Sequence, residues 1–223
     1  MVPQESPHDS QSLRRRVARE AAFLIYTSQE KEYKQAKIRA AEILGARALP
    51  SNREVAEELD AIAEELEGQS RLKRLLKMRR EALDIMECLA AYSPRLIGSV
   101  WRGTVHRNSD IDIVVYSSNP EEVMEELRKK GFRVSQVEEA IVTKRGRKES
   151  SLHISVSLPS SDEAEVIIRE PDEEACMERC EIYGDVVRGL DIDQLRAILK
   201  NDPYRRFIPN RVHRDVHPVG APR

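Results

Sequence analysis

The segment Leu96–Val115, which reads LIGSVWRGTVHRNSDIDIVV, decides the fold of this chain. It begins as a short apolar strand that ends at Gly98 and Ser99. After ten more residues it continues into DIDIVVYS, residues 110–117, which is rich in the β-branched residues typical of a strand. The helical segment NPEEVMEELRKKG follows, with a proline at its start and a glycine at its end. This order predicts a sheet with at least one helix packed on it.

The turn at Gly98 and Ser99 has the composition of a phosphate-binding turn. Glycine permits a close approach of the backbone, and the N–H groups after such a turn bind anions together with a serine hydroxyl. On the next strand Asp110 and Asp112 occupy alternate positions, so both carboxylates project from one face. Two like charges so close are unfavourable unless a cation lies between them, and Mg²⁺ prefers carboxylate oxygens. The segment therefore predicts a site for phosphoryl or nucleotidyl transfer.

The composite motif resembles the nucleotidyltransferase superfamily that includes DNA polymerase β. That family carries an apolar residue, Gly-Ser or Gly-Gly, a spacer, and then two acids separated by an apolar residue. The resemblance is closest to the minimal nucleotidyltransferases, in which the motif reads GS, two residues, RG, a short polar stretch and SDID. The matching residues here are Gly98, Ser99, Arg102, Gly103, Ser109, Asp110, Ile111 and Asp112.

The resemblance implies an α/β fold with a mixed sheet and a specific set of site residues. Asp110 and Asp112 would hold Mg²⁺, with two ions expected when a nucleoside triphosphate (NTP, such as ATP) is bound. The residues expected to bind the nucleotide are Gly98, Ser99, Arg102 and Ser109. The family also uses a third carboxylate on a neighbouring strand, for metal binding and for activation of the attacking hydroxyl.

Glu165, in the strand AEVIIRE, is the best match to that third carboxylate. Three acids close in sequence are alternatives: Asp162, Glu163 and Glu170. On a simple hairpin register, three polar residues share the face of Glu165 and are further alternatives for the site: His153, Ser155 and Ser157.

A second copy of the acid pattern occurs at Asp191-Ile192-Asp193. It has no Gly-Ser strand before it, and it leads into the helical pattern QLRAILK. We therefore predict that Asp191 is a helix N-cap and that Asp193 is an acid of the first turn, with no role in metal binding.

The rest of the chain is organised around the predicted sheet. FRVSQV, AIVTK, LHISVSL and AEVIIRE are predicted as strands, with a turn at PSSDE. A capping box at Ser51 and Glu54 predicts the start of a helix. The predicted divisions are a disordered N-terminus at 1–10, a helical N-terminal region at 11–92, a nucleotidyltransferase core at 93–172, C-terminal helices at 173–202 and an extended tail at 203–223.

The stretch RLKRLLKMRR, residues 71–80, places six basic residues at the start of a predicted helix. Cations are disfavoured there by the helix dipole, so the stretch needs a compensating partner. It is either paired with the acidic helix EVAEELDAIAEELE in a hairpin, or it is a face that contacts the phosphates of a nucleotide or RNA.

Composition excludes several classes of protein. The 223 residues carry 37 basic and 39 acidic side chains, so net charge alone does not hold the protein to nucleic acid. Three cysteines do not make a disulfide framework. No apolar run approaches the roughly 20 residues that span a membrane, so we expect a cytoplasmic protein without a membrane partner. The oligomeric state is left open.

Two functions from different classes follow from these observations. The first is an enzyme that moves a nucleoside monophosphate (NMP) from an NTP to a hydroxyl of an RNA end, a protein or a small molecule, and that releases pyrophosphate. Minimal nucleotidyltransferases often act with a helical protein partner, so a helical protein is one expected acceptor. The basic stretch 71–80 and the Arg-rich tail favour an RNA as the other. The alternative is a non-catalytic nucleotide-binding regulator or antitoxin-like module, which the helix-turn-helix character of LPSNREVAEELDAI favours.

Overall fold

Seven α-helices and five β-strands lie in the part of the chain that the computed structural model describes, residues 7–144, 147–158, 160 and 162–210. The helices are α1 (Pro7–Tyr26), α2 (Tyr33–Leu44), α3 (Asn52–Glu67), α4 (Gln69–Cys88), α5 (Gly98–Arg102), α6 (Pro120–Lys129) and α7 (Ile192–Asn201). The strands are β1 (Arg95–Ile97), β2 (Ile111–Tyr116), β3 (Arg133–Lys144), β4 (Arg147–Ser157) and β5 (Glu163–Arg169).

The five strands form one mixed sheet in the order β1-β2-β5-β4-β3. Strands β2 and β5 are parallel, and the other three neighbouring pairs are antiparallel. The parallel connection from β2 to β5 contains α6 and the long β3–β4 hairpin. This architecture confirms the predicted α/β class with a mixed sheet.

The two faces of the sheet differ in character because side chains alternate along each strand. On β2, Ile111, Ile113 and Val115 are fully buried and face the helices of the core. Asp112 lies between them and therefore faces the opposite side. The register aligns Asp112 with Glu165 on β5, so both carboxylates lie on this second face.

Two hydrophobic cores hold the molecule together. One is formed by the sheet with α4, α6 and α7, and the other by α1, α2 and α3. The predicted boundary at residue 92 assigns α4 to the N-terminal helical region. In the structure the buried side of α4, including Met78, Ile85 and Met86, packs in the core of the sheet.

Two predicted segment boundaries differ from the structure, one near the N-terminus and one in the β3–β4 hairpin. The first helix begins at Pro7, inside the predicted disordered stretch 1–10, because proline is well suited to the first helical position. Residues 1–6 lie outside the described part. FRVSQV and AIVTK form one continuous strand, β3, because β4 is long enough to pair with both, with an irregularity between Val134 and Gln136.

The prediction of helices throughout residues 173–202 is wrong. After a short 3₁₀ helix at Pro171–Ala175, no helix occurs before α7 in the described chain. Leu190 instead forms a β-bridge with Leu96, which places it beside β1. The left-handed backbone of Gly184, with φ of 75°, also interrupts a helix in this segment.

The first part of the predicted tail, residues 203–210, is irregular but firmly attached. Phe207 donates its N–H to the carbonyl of Arg102 over 3.0 Å. Arg53 on α3 binds the carbonyl of Pro209 over 2.8 Å. The segment therefore joins α3 to α5, while residues 211–223 lie outside the described part.

The basic side chains at the start of α4 pair mainly with acidic residues of the same chain. Arg71 is buried and paired with Asp60 and Glu64 of α3. Arg74 lies 3.6 Å from Glu67. These contacts support the charge-complementary hairpin.

The capping box at Ser51 and Glu54 is confirmed. Within the described residues, no helix is both long and apolar enough to cross a membrane.

Candidate active site

The turn at Gly98 lies directly against the carboxylate of Asp112. The backbone of Gly98 has a φ of +66°, and an ideal Cβ at this position would lie 1.9 Å from Asp112 Oδ2. Only glycine fits such a position without displacing the carboxylate. The predicted phosphate-binding turn and the predicted metal ligand are thus neighbours in space.

Asp110 precedes β2, Asp112 lies within β2, and Glu165 on β5 is aligned with Asp112, so the three carboxylates affect one another. Burial, and then the charges of Asp110 and Glu165, raise the pKa of Asp112 to about 8. Burial, and then the charges of Glu165 and Glu163, raise the pKa of Asp110. The site therefore holds unfavourable negative charge that a bound cation would relieve.

Glu165 is held by a histidine on the adjacent strand. His153 Nδ1 lies 2.9 Å from Glu165 Oε1, and His153 Nε2 lies 3.0 Å from Ser151 Oγ. Ser155 pairs with Glu165 directly across β4 and β5. The predicted sharing of one face by Glu165, His153 and Ser155 is confirmed.

The other acids near Glu165 lie in different settings. Asp162, in the β4–β5 turn, is paired with Lys77 of α4 at 2.9 Å. Glu163 is exposed at the first position of β5, and Glu170 is beyond its last residue. Of these acids, Glu165 alone is aligned with Asp112 in the β2–β5 register.

The carboxylates of this face fit a hard divalent cation, although they do not form a complete set of metal ligands by themselves. Among the described residues, no group of three or more His, Cys, Asp or Glu side chains has the spacing of a finished metal site. Mg²⁺ commonly takes only one or two protein carboxylates and completes its shell with water and substrate phosphates. Asp110 and Asp112, with their mutual repulsion, match that requirement.

Ser99 lies in the first turn of α5, directly after Gly98. Ser109 instead makes hydrogen bonds within the loop before β2. The Ser109 hydroxyl accepts the backbone N–H of His106 over 2.9 Å. The Ser109 N–H in turn donates to the carbonyl of His106 over 2.9 Å. Ser109 thus closes the turn that leads into Asp110.

Arg102 has a different role from the predicted contact with the nucleotide. Arg102 is 5% exposed, and its guanidinium makes two hydrogen bonds of 2.8 Å to the carboxylate of Asp185. A third bond, also of 2.8 Å, goes to the carbonyl of Phe207, and the group stacks on Trp101. These partners occupy the guanidinium because the tail and the 176–190 segment fold back over the end of α5.

The N-terminal helices support the loop that leads to Asp110. Arg71 Nε donates to the carbonyl of Val105 over 2.6 Å. Asn108 Nδ2 donates to the carbonyl of Tyr26, at the end of α1, over 2.7 Å. The helical region therefore contributes to the placement of a site carboxylate.

Sequence reasoning missed one structural arginine beside the site. Arg79 of α4 is fully buried. It binds the carbonyls of Val100 and Trp101 in α5 and those of Pro203 and Arg205 in the tail. Arg79 lies four residues from both Leu75 and Leu83, and this position among apolar residues is the sequence signal that could have identified it. Once buried, an arginine needs several hydrogen-bond acceptors.

The comparison with protein families gives one match in the segment that contains the site. A model described as a nucleotidyltransferase domain matches residues 79–152. This range includes Gly98, Asp110 and Asp112, and it ends before Glu165.

The chain is also similar to chains in several solved structures. A cytoplasmic RNA terminal U-transferase is 25% identical, with 42% of this chain and 28% of that chain covered and a TM-score of 0.31. The Cid1 poly(U) polymerase is 24% identical, with 42% and 30% covered and a TM-score of 0.30. The GLD-2/RNP-8 complex is 15% identical, with 56% and 44% covered and a TM-score of 0.32. The match thus spans less than half of each of these chains.

No curated protein matches this sequence significantly.

Proposed function

We propose that this chain is a nucleotidyltransferase of the DNA polymerase β superfamily, and that it is a Mg²⁺-dependent enzyme that moves an NMP from an NTP to an acceptor hydroxyl. The match of residues 79–152 to a nucleotidyltransferase domain supports this proposal. The acceptor oxygen forms a bond to the α-phosphorus, the bond from that phosphorus to the β-phosphate oxygen breaks, and pyrophosphate leaves.

The contact between Gly98 and Asp112 carries this proposal. The space that a Cβ at residue 98 would need is taken up by Asp112 Oδ2 at 1.9 Å. A backbone turn suited to phosphates and a carboxylate suited to a divalent cation therefore meet at one point. An NTP with its bound cation requires both kinds of group side by side.

Each residue of the site has a role within this proposal. The turn at Gly98 and Ser99 holds the phosphates through backbone N–H groups and the serine hydroxyl. Asp110 and Asp112 would hold Mg²⁺, which supplies neutralisation of the phosphate charge when it is bound. Glu165, on the same face as Asp112, accepts the proton of the acceptor hydroxyl or shares in metal binding.

The acceptor is expected to approach on the face of the sheet that carries Asp112 and Glu165. Glu165 lies between Asp112 on β2 and the polar residues Ser155 and His153 on β4. An acceptor hydroxyl near Glu165 would therefore lie on the β4 side of the nucleotide. RNA ends, protein side chains and small molecules all carry such hydroxyls.

The proposed transfer is tested by incubating the purified full chain with each α-labelled NTP, Mg²⁺ and either total RNA or protein lysate. We expect label in one acceptor class and an equal amount of released pyrophosphate. Gly98→Ala should lose both signals because its Cβ displaces Asp112. Gly131→Ala is the matched control, since Gly131 also has a left-handed φ, of +87°, but no atom lies within 4 Å of its Cβ position.

Both variants should lose a similar part of their stability from backbone strain, roughly 1–2 kcal/mol. Only Gly98→Ala should lose transfer. Nucleotide binding without a labelled product or pyrophosphate, with every acceptor tried, would contradict the enzymatic proposal.

A further inference from the structure

His153 occupies a position from which it controls the orientation of Glu165. We propose that His153 is a positioning residue that fixes the Glu165 carboxylate beside Asp112, on the face of the sheet that the two acids share. This inference rests on the proposed function, in which Glu165 is the third carboxylate of the site. It concerns a residue outside the motif that predicted the site.

The strand register brings the two side chains together. His153 on β4 pairs with Ile167, and Glu165 pairs with Ser155, so His153 and Glu165 are diagonal neighbours on one face. Diagonal neighbours in an antiparallel pair are within reach of long side chains. The contact of 2.9 Å between Nδ1 and Oε1 uses that reach.

The imidazole is itself held on both sides. Its Nδ1 lies 2.9 Å from Glu165 Oε1, and its Nε2 lies 3.0 Å from Ser151 Oγ. A neutral imidazole with the proton on Nδ1 satisfies both bonds, so the arrangement requires no charge on His153. A ring held at two nitrogens gives the carboxylate a fixed rather than a movable partner.

This restraint matters because Glu165 is partly exposed and flexible by nature. The side chain of Glu165 is 36% exposed, and that of His153 is 27% exposed. Without a partner, a half-exposed glutamate samples several rotamers, and only some of them keep the carboxylate near Asp112. Partners that orient ligand side chains typically change metal affinity or activity by about 10–100-fold.

The test compares His153→Ala with His153→Asn in the full chain. Asparagine places an amide N–H at about the position of Nδ1 and so keeps the bond to Glu165. We measure Mn²⁺ binding in the absence of nucleotide by electron paramagnetic resonance, together with kcat and KM for NMP transfer. Gln136→Ala is the control, because Gln136 lies on the neighbouring strand and its side chain bonds Glu138 rather than Glu165.

We expect His153→Ala to weaken Mn²⁺ binding and to lower kcat by about 10-fold each. The KM for the NTP should change little, because the turn at Gly98 holds the phosphates. His153→Asn should restore most of both losses, and Gln136→Ala should behave as the wild type. In a Glu165→Gln background, His153→Ala should have no further effect on Mn²⁺ binding.

The direct bond is measured in the metal-free protein by ¹⁵N resonances of the histidine ring. They should report the Nδ1–H tautomer of His153 in the wild type and a change in Glu165→Gln. Normal Mn²⁺ binding and kcat in His153→Ala, alongside losses in Glu165→Gln, would overturn the positioning role and leave the proposed function standing. Normal behaviour of Glu165→Gln itself would remove Glu165 from the site and overturn both.

Discussion

The tripeptide Asp-Ile-Asp occurs twice in this molecule and has two different structures. In the first copy, Asp110 precedes β2 and Asp112 lies within it. In the second, Asp191 is the N-cap of α7 and Asp193 lies in its first turn. Both outcomes were predicted, although the two tripeptides are identical in sequence. What surrounds each tripeptide therefore decides its chemistry.

The surroundings differ in burial and in neighbouring charge. Asp112 is enclosed between β1 and β5, against Gly98 and in the field of two further carboxylates. The side chain of Asp193 is 92% exposed and bonded to Arg196. A carboxylate becomes a candidate metal ligand where its charge is unfavourable without a cation. A carboxylate on an exposed helix start stabilises the helix instead.

The largest expected contrast is in transfer activity. Asp112→Asn keeps the shape of the side chain and removes the charge that would hold Mg²⁺. We expect kcat/KM for NMP transfer to fall by at least about 100-fold, since cation-based charge stabilisation contributes several kcal/mol. Pyrophosphate release and acceptor labelling measure the loss.

Asp193→Asn makes the same chemical change in the second copy and should leave transfer within about twofold of the wild type, as for an ordinary surface substitution. Equal losses in both variants would show that the comparison between the two copies is wrong. Equal retention of activity would remove Asp112 from the site.

The next contrast is in the pH dependence of stability. The pKa of Asp112 is raised from 3.8 to about 8 in the folded protein. Between these values the folded state holds a proton that the unfolded chain has released, so stability is highest at low pH and is lost as pH rises towards 8. The slope from this group reaches about 1.4 kcal/mol per pH unit at most.

Urea unfolding at pH 5, 6, 7 and 8 measures that slope. Asp112→Asn should make the curve flatter and should be relatively more stable than the wild type at pH 8. Asp193→Asn should keep the wild-type slope. A slope that is the same in Asp112→Asn as in the wild type would contradict the raised pKa of Asp112.

Local patterns predicted the elements that depend on nearby residues. The turn at Gly98, the strand after Asp110 and the cap at Asp191 are each determined within a few positions by glycine conformation, β-branched residues or cap chemistry. Glu165 was predicted from the family resemblance, which implies a third carboxylate on a neighbouring strand. Its alignment with Asp112 depends on the pairing of β2 with β5.

Contacts between segments that are distant in sequence could not be predicted from local patterns. Arg102 matched a motif position, but its partner Asp185 lies 83 residues away in an irregular segment. The segment itself was predicted as helix, because periodicity does not reveal that Leu190 pairs with Leu96. Long-range pairing overrides local propensity where a strand edge or a buried charge offers a stronger partner.

The smallest expected contrast concerns the stability of α7. Asp191 accepts the N–H of Gln194 over 2.8 Å, and Gln194 Oε1 accepts the N–H of Asp191 over 3.1 Å. Asp191→Ala should lower the free energy of unfolding by about 1 kcal/mol, with no change in transfer. Asp191→Asn should lose much less, because asparagine caps helices about as well as aspartate. A loss of transfer in Asp191→Ala at unchanged stability would instead give the second tripeptide a catalytic role, since loss of the cap bond alone would lower stability and leave transfer unchanged.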